Sequence, residues 1–335
     1  MPMKSYSDCG SRSMAEFSSL ADAMDSFADG DGVFQGDLFV VGTNLTSLSG
    51  LESMKGVNGT LSVRENPYLV SVAALSALSF TQNALYIGKN ALIAIDDELA
   101  SLVSVGTSLW IMEEMSLSTI SLPSLESVGL LRSSFRFTSW TGLAVNIVYI
   151  PELLSFDAPR LESIGGRLQM ASLYKLVQVT FSSLQRCDGI FGVYGNPGAT
   201  EMNVPAPVLE SAGQFIYNNN GPTEVSGANF PSLTNISYTF EMFYNQNLTT
   251  IDGFNLTYLG ELSIGDNPLL ETIDGFNSLR CIETNVTLHN NPALTSIDGL
   301  QLLEEVAGCC YLSPASLVDD LPACQGNLCP DSPTE

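Results

Sequence analysis

His289 is the only histidine in the chain, so any Ser-His-Asp or Cys-His arrangement would have to use it. It follows the strand-like stretch Val286-Thr287-Leu288 in the repeat register of Gly265 and Arg64, an ordinary outward position. Nucleophilic hydrolysis is therefore not expected. Paired acids with a basic partner could instead cleave a polysaccharide. The nearest such pair is Glu113 and Glu114, but successive strand residues point to opposite faces, and both read as solvated acids. No Gly-rich phosphate loop follows a strand and opens a helix. Asp25, Asp29, Asp31 and Asp37 gather oxygen ligands in one Gly-containing stretch. Their spacing departs from the D-x-[DN]-x-[DN]-G calcium loop, so a solvated cap is expected, with no metal and no cofactor. The expectation from these residues is a chain that is not an enzyme.

Cysteines offer a different chemistry. Of seven, Cys281, Cys309, Cys310, Cys324 and Cys329 crowd the C-terminal region, while Cys9 and Cys187 stand alone. Such a cluster reads as a disulfide-stapled cap in an oxidising compartment, against the alternative of reduced, partly buried thiols. Zinc is disfavoured because the paired CxxC form is missing. Cys187 and Cys281 lie four coils of the repeat apart, roughly 19 Å at strand spacing, too far for a disulfide. Cys187 aligns with the core position of Ile282, so a buried free thiol is expected there.

Asparagines add a modification chemistry. Asn-x-Ser/Thr sequons occur at Asn44, Asn58, Asn235, Asn247, Asn255 and Asn285, on turns and outward positions that allow glycosylation.

These groups must be held by a core, and composition says which kind. Hydrophobic residues are 45% and charged residues 14% of the 335-residue chain. The polar surface therefore falls to Ser, Thr, Asn and Gly, which suits a parallel β structure better than exposed helices. With 36 acidic and 12 basic residues, the net charge of −24 repels phosphate backbones and anionic lipid. A nucleic-acid partner is not expected. No apolar run is long enough to span a membrane as a helix. Met1–Leu20 lacks the apolar core of a signal peptide, and no hydrophobic tail follows Cys329 as in a GPI signal.

The positioning element is a repeat of about 22 to 25 residues, approximately x-L-x-I-x-x-N-P-x-L-x-x-I-x-G-x-x-x-L-x-x-I. Gly260–Ile282 and Thr284–Val306 carry it most plainly. The L-x-I pair recurs at Leu38/Val40, Leu61/Val63, Leu85/Ile87, Leu109/Ile111, Val148/Ile150, Leu168/Met170, Phe191/Val193, Phe215/Tyr217, Phe240/Met242, Leu262/Ile264 and Val286/Leu288. Its period of two is that of a half-buried strand. The expected fold is all-β: a right-handed parallel β-helix or solenoid of about eleven coils with LRR-like patterning. It has an N-terminal cap over 1–33, coils over 34–306 and a Cys-rich C-terminal cap and tail over 307–335. Leu130–Leu143 fits poorly and reads as an insertion or irregular rung. Asn66, Asn90, Asn196, Asn220, Asn245, Asn267 and Asn291 share one corner register. They are expected to point inward, where their amides satisfy buried turn backbone.

The NP-x-L-x-x-I-x-G units, strongest at Gly59–Val72 and Gly260–Val306, resemble the repeat of receptor L-domains. These are the right-handed β-helical modules of insulin and EGF receptor ectodomains, with related repeats in fungal and protist cell-surface proteins. The likeness covers about Phe34 to Val306. It implies an extracellular or cell-surface protein that recognises a partner. A leucine-rich-repeat horseshoe is the runner-up fold.

The outward residue of each L-x-I pair points to where recognition would occur. Phe39, Tyr86, Trp110 and Tyr149 fall at this position in the N-terminal half, whereas the C-terminal half is mostly small or polar. An aromatic ladder on a solvent-facing sheet is costly unless covered or used. It serves either as a binding face for a protein or a glycan, or as a surface covered by the insertion carrying Trp140. The alternative functions are a structural cell-wall or surface-coat spacer and, third, a carbohydrate-active β-helix enzyme.

Overall fold

The computed structural model describes residues 11–13, 19–27, 30–129, 143–313, 321–325 and 327–329. Short parallel strands stack into a β-solenoid of about eleven turns, and the only α-helix among the described residues is Leu20–Phe27. The chain divides into two compact units, Met1–Gly165 and Gly166–Glu335. No helix among the described residues is long and apolar enough to cross a membrane.

In the first unit the main sheet stacks Asp37–Val41, Leu61–Arg64, Leu85–Gly88, Leu109–Met112 and Leu143–Val148, all parallel. Ser11–Ser13 adds a strand against Asp37–Phe39. Alternation explains the burial: Leu38, Val40, Leu61, Val63, Leu109 and Ile111 are fully inside. Of the residues between them, Phe39 and Trp110 are half-buried and Ser62, on the same outward side, is covered. The second apolar beat of each coil forms its own sheet, Ala94–Ile95, Thr119–Ser121 and Ser155–Asp157. The third runs through Val33–Gln35, Gly56–Asn58, Phe80–Thr81, Ser104–Val105, Ser127–Val128 and Ser163–Ile164.

The second unit fuses its third and first beats. Arg186–Asn196, Ser211–Asn220, Asn235–Phe243 and Tyr258–Gly265 each run through both, with a register shift at the bend. Such a shift lets one strand turn a corner without ending. The core here is aromatic. Phe191, Phe215 and Phe240 stack with centroids 5.7 and 5.0 Å apart. Phe230, Phe254 and Phe276 form a parallel column meeting the first edge-to-face, as in Phe240 against Phe254 at 5.1 Å. Each such pair adds about 0.5–1.5 kcal/mol beyond area burial. Cys310–Leu312, within the Cys-rich region, pairs in parallel with Val286–Leu288 and continues the sheet.

The corner asparagines point inward as expected. Each follows a residue in the left-handed region, such as Glu65 (φ 60), Lys89 (φ 55) or Asn290 (φ 53), and each is buried. Asn267 shows the pattern. Its Nδ2 donates to Met242 O at 3.0 Å and Asn291 Oδ1 at 3.2 Å, while its Oδ1 accepts from the Asn245 N–H at 3.0 Å. Each amide thus satisfies backbone on the preceding coil. All but the last, Asn291, link to the next coil, forming two ladders, one in each unit. At two coils the corner is apolar, Ile150 and Leu173.

Two expectations need correction. The strand pair of the fifth coil is Val145/Ile147, not Val148/Ile150, because Leu109, Trp110 and Ile111 pair with Val145, Asn146 and Ile147. Glu114 is not a solvated acid. It takes the asparagine corner of its coil and is fully buried, while Glu113 faces out in an exposed pair with Lys89 at 3.6 Å. Residues 130–142 of the irregular rung, Trp140 among them, lie outside the described residues, as does Cys9.

Candidate functional site on the outer face of the first unit

Five consecutive coils bring one outward column together: Phe39, Ser62, Tyr86, Trp110 and Asn146, each in direct register with the next. Phe39, Tyr86 and Trp110 are half-buried. The Tyr86 and Trp110 rings lie 5.6 Å apart with an interplanar angle of 33°. Ring contact across adjacent rungs follows from strand spacing, since aromatic pairs favour centroids about 4.5–7 Å apart.

Polar atoms of this column are left unmet. Ser62 Oγ, Trp110 Nε1 and Asn146 Oδ1 are buried and have no hydrogen-bond partner among the described residues. Ser62 and Asn146 are 1% and 3% exposed. An unmet buried polar atom costs about 1–3 kcal/mol, and native proteins carry few. Among the described residues of the first unit, all such side-chain atoms lie on this one column. The second unit holds its own at Arg167, Gln214 and Asp252, the first two each just before a core residue of the main sheet, Leu168 and Phe215.

Tyr149 does not belong to this face. It sits at the corner with φ 57, in the place of Glu113 and Lys89, and is 45% exposed. Asn146 takes the column position instead. The marker that sets the register elsewhere, a corner Asn, is replaced by Ile150. A second signal remains: Pro151 follows Ile150 as Pro67, Pro197, Pro268 and Pro292 follow their asparagines, which places Ile150 at the corner and Val145/Ile147 on the strand.

His289 lies on the outer face in register with Gly265, as expected. The glycine leaves room for the rings of Phe243 and His289 to meet across it at 5.5 Å, since a Cβ there would lie 2.4 and 2.8 Å from those rings. Asp266 approaches His289 to 4.0 Å. Of the aspartates between Asp25 and Asp37, Asp29 lies outside the described residues. No group of three or more His, Cys, Asp or Glu among the described residues is placed to hold a metal ion.

Four cysteines of the C-terminal cluster are bridged, Cys309 to Cys329 and Cys310 to Cys324. Cys281 is not, and its thiol is free and exposed. It faces away from the interior because Ile282 takes the core position beside it. Cys187 is a free, buried thiol. Burial pushes its pKa up to about 12.

Among the sequons, Asn44, Asn58 and Asn255 are exposed, and Asn235, Asn247 and Asn285 are half-buried. Asn247 Nδ2 donates to Gly221 O at 2.9 Å. Asn285 Oδ1 accepts from the Cys309 N–H at 3.0 Å.

No protein-family model matches this chain, and no curated protein sequence matches it.

Proposed function

We propose that this chain is a non-enzymatic recognition module of the cell surface or extracellular space. It binds a protein or glycan through the outer face of its first β-sheet, centred on Tyr86 and Trp110. The observation that carries this reading is the column itself: aromatic rings interleaved with buried polar atoms that have no partner among the described residues. Buried polar groups of a folded chain are ordinarily satisfied, and a local violation of that rule is a mark of function. The two disulfides support an oxidising compartment, and the exposed Asn44, Asn58 and Asn255 are the sequons best placed to carry glycans. Kinship with receptor L-domain repeats is part of the same reading, supported by the NP-x-L-x-x-I-x-G units and their buried corner asparagines.

The test is binding of the labelled full chain to the surface of the cells that produce it, read by flow cytometry. Saturable binding weakened about tenfold or more by Trp110→Ala, with an unchanged circular dichroism spectrum, is the expected result. Binding that ignores the substitution would leave the structural spacer as the better account.

A further inference from the structure

We infer that the ligand of the Phe39–Asn146 column is a neutral, hydroxyl-rich glycan chain laid along the stack, an inference that rests on the recognition reading above. The three unmet atoms ask for different partners. Trp110 Nε1 needs an acceptor, Asn146 Oδ1 needs a donor, and Ser62 Oγ takes either. A sugar hydroxyl is donor and acceptor at once, so one ligand chemistry serves all three.

Between those atoms the Tyr86 and Trp110 rings present an adjoining apolar surface, suited to the C–H face of a pyranose ring. Ring and polar group recur along one line at about 4.8 Å per rung. An extended chain lying along the column meets an aromatic face or an unmet polar atom at every step. A protein ligand could use the rings as anchors, but it would satisfy the polar atoms only where its own groups happened to fall in that register.

Charge selects the class of glycan. None of the five column side chains is charged at neutral pH, and the flanking column of Val41, Arg64, Gly88, Met112 and Val148 holds a single charged residue. The net charge of −24 repels uronic and sulfated chains. Ser62 and Asn146 are covered in the free chain, so the ligand reaches them as side chains of this face rearrange, and rotamer changes of half-exposed side chains are fast.

The test is isothermal titration calorimetry of the full chain with neutral hexaoses of β-1,4-glucose, β-1,3-glucose, β-1,4-N-acetylglucosamine and α-1,6-mannose, with hexagalacturonate as the acidic control. At least one neutral hexaose should bind about tenfold or more tighter than hexagalacturonate and than its own disaccharide. Trp110→Ala should weaken that binding about tenfold or more, and Trp110→Phe, which keeps a ring and loses the N–H, by less. Absence of binding to every neutral hexaose overturns the inference, as does binding that Trp110→Ala leaves unchanged. In either event, cell-surface binding that still depends on Trp110 would keep the recognition reading and transfer the ligand to a protein. Loss of that dependence as well would remove both.

Discussion

One carboxylate oxygen of Glu114 accepts hydrogen bonds from both the backbone N–H and the Nδ2 of Asn90, at 3.0 and 2.8 Å. A carboxylate thus completes an asparagine ladder, with Ile150 at the same corner of the next coil. Burial pushes the Glu114 pKa up, against the pull of its hydrogen bonds from Asn90 and Leu92. The folded chain therefore holds this proton more tightly than the unfolded chain. The stability it contributes is fully present below the ordinary glutamate pKa of about 4.3. It is lost as pH rises through the folded-state value. Glu114→Gln keeps an acceptor for Asn90 and removes the buried charge. We expect it to raise the thermal midpoint at neutral pH and to flatten this part of the stability–pH profile. Superimposable profiles for the two proteins would contradict this.

Asn267→Ala should be far more damaging than its small change in volume implies. The substitution leaves the Asn245 N–H and the Met242 carbonyl without the partners described above. At about 1–3 kcal/mol per unmet buried group, a loss of roughly 3 kcal/mol is expected in urea unfolding monitored by circular dichroism. A change within about 0.5 kcal/mol, the ordinary range for a surface substitution, would mean that the ladder does not stabilise the fold.

The ladder also explains how much of this molecule could be read in advance. Alternating Leu-x-Ile pairs located ten of the main-sheet strands, because a half-buried strand imposes its period directly on sequence. The inward asparagines were legible for the same reason: a buried corner leaves backbone groups that need an amide. Where Ile150 replaces Asn, Val145, Ile147, Val148 and Ile150 all look inward by periodicity, and the register slipped by three residues. That slip put Tyr149 on the face and hid Asn146. Glu114 was misread because neighbours on a strand alternate, but Glu113 and Glu114 lie past the strand, where a left-handed residue turns the next side chain inward. Cys310–Leu312 carries a strand pattern masked by its cysteines, whose pairing no spacing rule could supply. The unmet polar atoms at Ser62 and Trp110 depend on what packs beside them, which no one-dimensional pattern encodes.

Thiol chemistry should separate the free cysteines. Cys281 is exposed, although partial burial and its neighbours Glu305 and Glu283 hold its pKa up. Cys187 is buried with a pKa pushed up to about 12. Iodoacetamide at mildly alkaline pH should label Cys281 in the native protein, and Cys187 only after denaturation. Native labelling of Cys187 at a rate matching Cys281 would show that the interior of its coil is open to solvent.

The disulfides close loops of 14 and 20 residues at the C-terminal end. Replacing Cys310 and Cys324 with alanine should cost about 2–4 kcal/mol, read as a lower urea midpoint. Hydrogen exchange should rise first in Val286–Leu288, the strand paired with Cys310–Leu312. An unchanged midpoint would make the bridge irrelevant to the stability of that end.

The most direct test of the outer column as a binding site is the thermal midpoint of Trp110→Phe beside the parent chain. A residue placed for a ligand carries an unmet N–H that the free fold does not need. Its removal should leave the midpoint unchanged or raise it, since an unmet buried donor costs about 1–3 kcal/mol. A midpoint several degrees lower would show that Trp110 serves the free fold, covering the sheet rather than meeting a ligand.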